Sequence, residues 1–181
     1  PDGHDAVARR LAVVERPNVL LAFATMSAQP ALEQTPADAA LVFDANLTGA
    51  AAILLRLLPH LETRRGARLV VIGSVAGDRG RQRNYVYGAS KAGLHALVSG
   101  YRNRLHRAGV SVTLVKAGPF DSAMTFDRTD LRGIASVESV AADCWRAAYR
   151  RRHTVYSPGR WRWIMAAVRA IPEPLFKRLD L

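Results

Sequence analysis

Short apolar runs alternate with longer amphipathic stretches along the chain, and this alternation limits the possible folds more than any other feature. Strands are predicted at 18–24, 68–72, 110–115 and 153–156. Helices are predicted at 36–65, 85–108 and 137–150. Because strands joined through helices must run parallel, the sequence predicts an α/β fold: a doubly wound parallel sheet with helices on both faces, in three layers.

Local signals support the helix boundaries. Thr35 is a predicted N-cap, with Pro36 at the first helical position, where a missing N–H costs nothing. Ser136 is the predicted cap of the last of these helices. Gly109 is the predicted C-cap of the second.

Composition excludes several classes of protein. With 181 residues, 49% of them hydrophobic and 23% charged, the chain can form one domain with a sizeable core. The net charge of +11 comes from 26 basic residues, nearly all arginine, a pattern typical of codon bias, and no nucleic-acid-binding motif accompanies it. The single cysteine, Cys144, excludes an internal disulfide, and the scattered histidines predict no metal site. A cytoplasmic location is the default, and no apolar run reaches the ~20 residues of a membrane span.

In open parallel sheets, ligands bind beyond the carboxyl ends of the strands. Close to these ends in the chain, Tyr87 and Lys91 stand four residues apart and hence on one face of a helix. A nearby ammonium favours the phenolate and makes tyrosine a usable acid or base. The alternative is an exposed helical pair with no role.

Two further polar residues fall near the same edge of the sheet. Ser74 ends the second strand, where its hydroxyl can face the site; the alternative is an ordinary turn residue in the glycine-rich stretch 73–77. Asn46 lies inside a predicted helix, although asparagine is a poor helix former. Taken alone, Asn46 could equally be a tolerated defect.

Together these motifs resemble the short-chain dehydrogenase/reductase family. The resemblance covers nearly the whole chain and rests on the order and spacing of Asn46-Leu47-x-Gly49, Gly73-Ser74-x-Ala76-Gly77, Tyr87-x-x-x-Lys91 and Gly118. It implies a Rossmann-like sheet and NAD(H) or NADP(H) as the cofactor, without indicating which of the two.

The resemblance also implies a role for each matched residue. Tyr87 would exchange a proton with a carbonyl oxygen, while Lys91 would lower the pKa of Tyr87 and hold the nicotinamide ribose. Ser74 would bind the carbonyl oxygen, and Asn46 would hold a water molecule of a proton relay. Gly118 and Ser122 would lie near the nicotinamide.

The chain also departs from the family pattern. Residues 22–25 read Ala-Phe-Ala-Thr where the family has Asn-Asn-Ala-Gly, and Ala117-Gly118 stands where it has Pro-Gly. No Gly-x-x-x-Gly-x-Gly occurs anywhere in the chain. We therefore expect 1–158 to be the C-terminal part of an incomplete Rossmann-like domain, with the dinucleotide loop in a missing N-terminal part. A truncated, cofactor-free scaffold or binding subunit is the alternative.

Residues 159–181 form a basic segment containing two tryptophans. This predicts either an amphipathic helix at a membrane surface or a terminal helix that closes the substrate pocket or packs on a neighbouring subunit. Met124, Phe126 and Leu131 could form a lid. Stretches around Ser74, Tyr87 and the tail are similar to the decaprenylphosphoryl-2-keto-ribose reductase subgroup. That similarity implies a keto-sugar substrate, lipid-linked or small, a flavin oxidase partner, and peripheral contact with the inner membrane. The family further implies a homo-oligomer; an unrelated small ketone is the alternative substrate.

Overall fold

A four-stranded sheet forms the centre of the protein in the computed structural model, which describes residues 2–125 and 134–180. Its strands are β1 (Asn18–Leu21), β2 (Arg68–Ser74), β3 (Ser111–Ala117) and β4 (Thr154–Ser157). They lie side by side in the order β1-β2-β3-β4, and every neighbouring pair is parallel. The predicted α/β class and parallel sheet are therefore confirmed.

Helices connect and flank these strands. They are α1 (Asp2–Ala12), α2 (Gln29–Gln34), α3 (Pro36–Phe43), α4 (Gly49–Glu62), α5 (Tyr85–His106), α6 (Val137–Tyr149), α7 (Trp161–Ala170) and α8 (Glu173–Phe176). A π-helical turn, Asp44–Thr48, joins α3 to α4, and a 3-10 turn, Val75–Asp78, follows β2. The sequence reasoning missed α1, whose buried residues Ala8 and Leu11 are spaced by three, and the six-residue α2, which has no side-chain cap.

Two apolar clusters, one on each side of the sheet, make the fold doubly wound. Successive side chains of a strand point to opposite faces, so β2 contributes Leu69 and Val71 to one cluster and Val70 to the other. The larger cluster packs α1, α4 and α5 against the sheet, and the smaller one packs α6. The sheet thus lies between two helical layers, as predicted.

The helix predicted at 36–65 is real, but its details differ from the prediction. It ends at Glu62, and the π-helical turn interrupts its α-helical hydrogen bonding. Thr35 occupies the N-cap position without a side-chain cap hydrogen bond; its backbone N–H instead donates to Ala31 and closes α2. The stretch Pro36–Glu62 is also long and apolar enough to cross a membrane, contrary to our expectation. Its most buried side chains, however, pack in the larger core cluster.

The remaining boundaries shift by one to three residues. Ser136 accepts a hydrogen bond from the backbone N–H of Ser139 at 3.2 Å, which confirms it as the cap of α6. The regular part of α5 ends at His106, and Gly109, with φ +72°, closes the helix as predicted. Its N–H donates to the carbonyl of His106, and the N–H of Val110 donates to the carbonyl of Leu105, the two bonds of a glycine helix stop. Strand β1 ends at Leu21 rather than Ala24, and the backbone of Thr25 beyond it bonds to the side chain of Asn46.

Candidate active site

The predicted polar residues collect where the strands end. Strand β2 ends at Ser74, and α5 begins eleven residues later with its first two turns carrying Tyr87 and Lys91. The helix packs directly on the 3-10 turn that follows Ser74. The carboxyl edge of the sheet therefore holds the candidate site, as expected for a parallel sheet.

Two glycines allow α5 to approach this turn. A Cβ atom at Gly77 would lie 2.8 Å from the carbonyl carbon of Lys91, and one at Gly88 would lie 2.9 Å from the carbonyl oxygen of Ala76. No real Cβ makes such contacts without movement of the backbone. Any larger residue at either position would push the helix, and with it Tyr87, away from Ser74.

Tyr87 and Lys91 are both buried, with exposures of 8% and 2%. The ammonium nitrogen of Lys91 lies 5.7 Å from the centre of the Tyr87 ring. The alternative of an exposed helical pair is therefore wrong. Lysine is almost never buried without a partner or a role, so this burial itself marks the pair as a candidate site.

Burial dominates the electrostatics of the pair. It raises the pKa of Tyr87, and a hydrogen bond from the Ser74 side chain acts in the opposite direction. Burial also lowers the pKa of Lys91, to about 8. The resemblance implied a Tyr87 pKa lowered by Lys91, whereas the structure places it above the ordinary value because desolvation disfavours the phenolate. At neutral pH Tyr87 is consequently a neutral phenol, able to donate a proton.

Ser74 joins the turn to this pair. Its hydroxyl oxygen accepts a hydrogen bond from the backbone N–H of Ala76 at 3.1 Å, so Ser74 caps the 3-10 turn. The same side chain faces Tyr87 and acts to lower the pKa of its phenol. Ser74 therefore has the turn role that the sequence left open, and its role in the site stays a prediction.

Asn46 is 1% exposed and connects two parts of the site. Its side-chain oxygen accepts from the backbone N–H of Thr25, and its amide nitrogen donates to the Thr25 carbonyl, each at 2.8 Å. The amide nitrogen also donates to the hydroxyl of Ser90 at 3.1 Å, and Ser90 in turn donates to the Tyr87 carbonyl. Asn46 thus ties the segment after β1 to α5, and the π-helical turn presents it for this purpose.

Gly118 and Ser122 follow β3. The backbone N–H of Gly118 donates to Ser157, and the Trp161 indole covers Gly118 so closely that a Cβ there would lie 1.9 Å from its nitrogen. Ser122 is hydrogen-bonded to Thr125 through its backbone N–H and its hydroxyl. None of the described hydrogen bonds joins Ser122 to the Tyr87 group.

Of the predicted lid residues, Met124 lies in the turn after β3. Phe126 and Leu131 lie outside the described residues, so the lid stays a prediction.

Sequence reasoning missed a polar cluster behind Ser74. The carboxylate of Asp78, 1% exposed, accepts hydrogen bonds from the ammonium of Lys116 and from the hydroxyl of Tyr156. His95, one turn beyond Lys91 on α5, lies beside this carboxylate. The four residues come from separate elements, so no local sequence pattern could reveal them.

Arg79 fastens the tail to the loop between Ser74 and Tyr87. Its guanidinium donates to the carbonyls of Val168 and Ile171 at 2.6 Å each, pairs with Glu173, and stacks on the Phe176 ring at 3.6 Å. The tail therefore packs on the loop between Ser74 and Tyr87, and its predicted roles at a membrane, at the substrate pocket or at a neighbouring subunit stay predictions.

The parallel sheet between two layers of helices places the chain in the Rossmann-like α/β class. A buried tyrosine–lysine pair and a serine lie at the carboxyl edge of this sheet. Within that class, the sequence model of the short chain dehydrogenase family matches residues 3–132. The chain belongs to this family.

Individual relatives agree. The chain is 38% identical over 161 residues to an uncharacterized oxidoreductase of Streptomyces coelicolor. That alignment covers 89% of this chain and 64% of the relative. The chain is 32% identical over 160 residues to an uncharacterized oxidoreductase of Mycobacterium tuberculosis, with 88% and 64% covered. The chain therefore spans 64% of the length of these relatives.

A solved structure confirms the fold. A short chain dehydrogenase from Burkholderia cenocepacia, crystallised with NADP, superposes with a TM-score of 0.84 at 21% identity, covering 98% of this chain and 77% of that one.

Proposed function

We propose that this chain is the catalytic part of an NAD(P)-dependent ketoreductase. The observation that carries the proposal is the buried Tyr87 phenol with the buried Lys91 ammonium 5.7 Å from its ring centre, one helical turn away. A tyrosine used only for packing has no need of a buried cation beside it, since burial of an unpaired ammonium is costly.

The residues suit proton donation to a carbonyl oxygen. Tyr87 and Ser74 would both donate hydrogen bonds to that oxygen, and the Tyr87 proton would pass to it as the carbonyl becomes an alcohol. When bound, the reduced nicotinamide supplies the hydride that adds to the carbonyl carbon. Ketone, hydride and proton thus balance to alcohol, and Lys91 would favour the phenolate left behind.

The side chains fit the nicotinamide-ribose end of the cofactor. Lys91 makes no ion pair in the described parts of the chain, so its ammonium is available to donate to ribose hydroxyls. Gly118 lies at the neighbouring strand end. The pyrophosphate end has no counterpart here, because the sequence contains no Gly-x-x-x-Gly-x-Gly.

Cofactor titration and one pair of variants test the proposal. For the whole protein, with the N-terminal part expected to carry the dinucleotide loop, we expect saturable binding of NADH or NADPH, followed by nicotinamide fluorescence, and ketone-dependent oxidation of the bound form. Tyr87→Phe should lower kcat about 10²- to 10⁴-fold with cofactor affinity kept, because only the proton donor is removed. Tyr85→Phe is the matched control: it lies on the same helix, is exposed, and should change kcat less than about twofold.

Either of two results would overturn this assignment. An active Tyr87→Phe enzyme would remove the proposed proton donor. Absence of any cofactor binding would favour the alternative of a cofactor-free scaffold or binding subunit.

For the substrate we propose a keto-sugar, carried on a polyprenyl phosphate at the cytoplasmic membrane surface. Support comes from α7, on which Trp163 and Ile164 are 71% and 40% exposed beside the basic side chains of Arg162 and Arg169. An exposed apolar face flanked by arginines suits an anionic lipid interface. Sedimentation with vesicles containing phosphatidylglycerol should capture the protein, and Trp163→Ser should weaken capture. Equal capture of both proteins would remove this support, and product analysis would separate a keto-sugar from an unrelated small ketone.

We also propose that the protein forms a homo-oligomer and works with a flavin oxidase that generates the ketone. Exposed apolar side chains on the long helical stretch, Leu41 at 62% and Leu55 at 60%, support self-association. Analytical ultracentrifugation of the protein alone and with a candidate oxidase tests both, and a monomer in both runs would contradict them.

A further inference from the structure

His95 lies directly behind the candidate catalytic serine. Its ring nitrogen Nε2 is 3.4 Å from the backbone nitrogen of Ser74 and accepts a long hydrogen bond from that N–H. The side chain is only 11% exposed. The residue therefore contacts the main chain at the point from which the Ser74 hydroxyl reaches Tyr87.

The glycine-rich loop is shaped around this imidazole. A Cβ at Gly73 would lie 2.6 Å from Nε2 of His95, and a Cβ at Gly77 would lie 2.7 Å from Cε1 of the same ring. The loop can close on the ring only with glycine on both sides. This explains two of the glycines around Ser74 without reference to any ligand.

The other ring nitrogen faces a fixed negative charge. Nδ1 of His95 lies 3.9 Å from Oδ1 of Asp78, whose carboxylate is held by Lys116 from β3 and by Tyr156 from β4. A carboxylate on this side favours the proton on Nδ1. The lone pair is then on Nε2, where the Ser74 N–H needs an acceptor.

The surroundings also keep the ring neutral. The charged and titratable groups that face it are Asp78, Lys116 and Lys91, with Tyr156 behind Asp78. Burial and the positive charge of Lys116 lower the pKa of His95 to about 4, and Asp78 opposes this only in part. An imidazolium would have no lone pair for Ser74, so the neutral ring is the form that this geometry requires.

We propose that His95 is a positioning residue of the active site: as the Nδ1–H tautomer it holds the Ser74 backbone and so aligns the Ser74 hydroxyl with Tyr87. The inference rests on the proposed function for its catalytic consequence. Its structural part, the tautomer and the Ser74 contact, stands without it.

Two substitutions separate positioning from bulk. His95→Gln keeps an acceptor on a side chain that can reach Ser74, whereas His95→Leu fills similar space without one. We expect His95→Leu to lower kcat about 10- to 100-fold, since small misplacements of a catalytic group are costly, with KM for the cofactor nearly unchanged. His95→Gln should recover most of the lost rate. His106→Leu, exposed at the end of the same helix, is the matched control and should leave kcat unchanged.

A second measurement does not depend on turnover. In protein labelled with ¹⁵N-histidine, the His95 resonances, identified by their loss in His95→Gln, should show a protonated Nδ1 and an unprotonated Nε2 at pH 7. The Ser74 amide should be protected from hydrogen exchange in the wild type and in His95→Gln, and less so in His95→Leu.

The possible results distinguish the positioning role of His95 from the proposed function. A protonated Nε2, or equal kcat losses in the leucine and glutamine variants, overturns the positioning role. An inactive protein with the expected tautomer and amide protection refutes the proposed function and leaves the His95–Ser74 contact established.

Discussion

The centre of the sheet and its β1 edge are built very differently. In the described residues, β2 is paired on both sides, and its side chains Leu69 and Val71 are fully buried. Strand β1 is paired only with β2, and Leu20 is 56% exposed. Ser74, Tyr87 and Lys91 lie on β2 or α5, in the part of the molecule with two-sided support.

An apolar groove of about 300 Å³ accompanies the open edge. Leu20 and Val70 contribute its sheet side, and Trp145 and Tyr149 of α6, 66% and 69% exposed, contribute its helix side. Large exposed apolar groups of this kind mark a contact surface rather than a core. The geometry of the candidate site therefore depends mainly on the packing of β2 and α5 at the centre of the sheet, and less on β1 at its edge.

Truncation of a leucine in the central core should cause the largest loss in the free energy of unfolding. Leu54 on α4 is 0% exposed, so Leu54→Ala should lower the free energy of unfolding by about 2–5 kcal/mol. Leu20→Ala, the same change at the edge, should cost less than about 0.5 kcal/mol. Urea denaturation of both variants measures the difference, and similar losses would refute the distinction between the two regions.

Acid should weaken the centre through His95. A pKa lowered from 6.5 to about 4 means that the unfolded chain binds a proton that the folded chain does not. The contribution of neutral His95 to the free energy of unfolding is therefore complete above pH 6.5. It is lost as the pH falls from 6.5 to about 4, and the total loss is about 3 kcal/mol. Urea denaturation between pH 7 and pH 4.5 should show a steeper loss of stability for the wild type than for His95→Gln. Parallel curves would mean that His95 is not buried neutral.

The smallest changes in stability are expected when either of two glycines of α5 is replaced by alanine. Gly88→Ala places a Cβ 2.9 Å from the Ala76 carbonyl and should destabilise the protein by about 1–3 kcal/mol. Gly100→Ala meets nothing within 4 Å and should stabilise it by about 0.5–1 kcal/mol, the usual gain in a helix. The unfolding temperatures of the two variants measure the difference. A higher unfolding temperature for Gly88→Ala than for the wild type would show that α5 is not in close contact with the turn after Ser74.

Much of the fold was predictable because its signals are local. Apolar runs located all four strands, and Ser136 marked the start of α6. The site residues Ser74, Tyr87 and Lys91 were predictable as a group because their order and spacing along the chain resemble the family pattern. Their catalytic roles stay predictions until the variants are measured.

The remainder depends on long-range contacts. The cluster of His95, Asp78, Lys116 and Tyr156 joins four elements, so nothing in the chain order indicates it. The π-helical turn that presents Asn46 is likewise stabilised by a partner 44 residues away, Ser90. The raised pKa of Tyr87 results from burial, which a sequence does not report.

The amino-acid sequence by itself determined the order of the four strands and of the long helices between them, and the edge at which a site is expected, because periodicity and turn residues act over a few positions. Only the tertiary structure decided how that edge is arranged. Burial sets the protonation of Tyr87, Lys91 and His95, and glycines at 77 and 88 set the distance of α5 from Ser74. Desolvation and close packing are properties of neighbours in space, and the chain brings those neighbours together only when it folds.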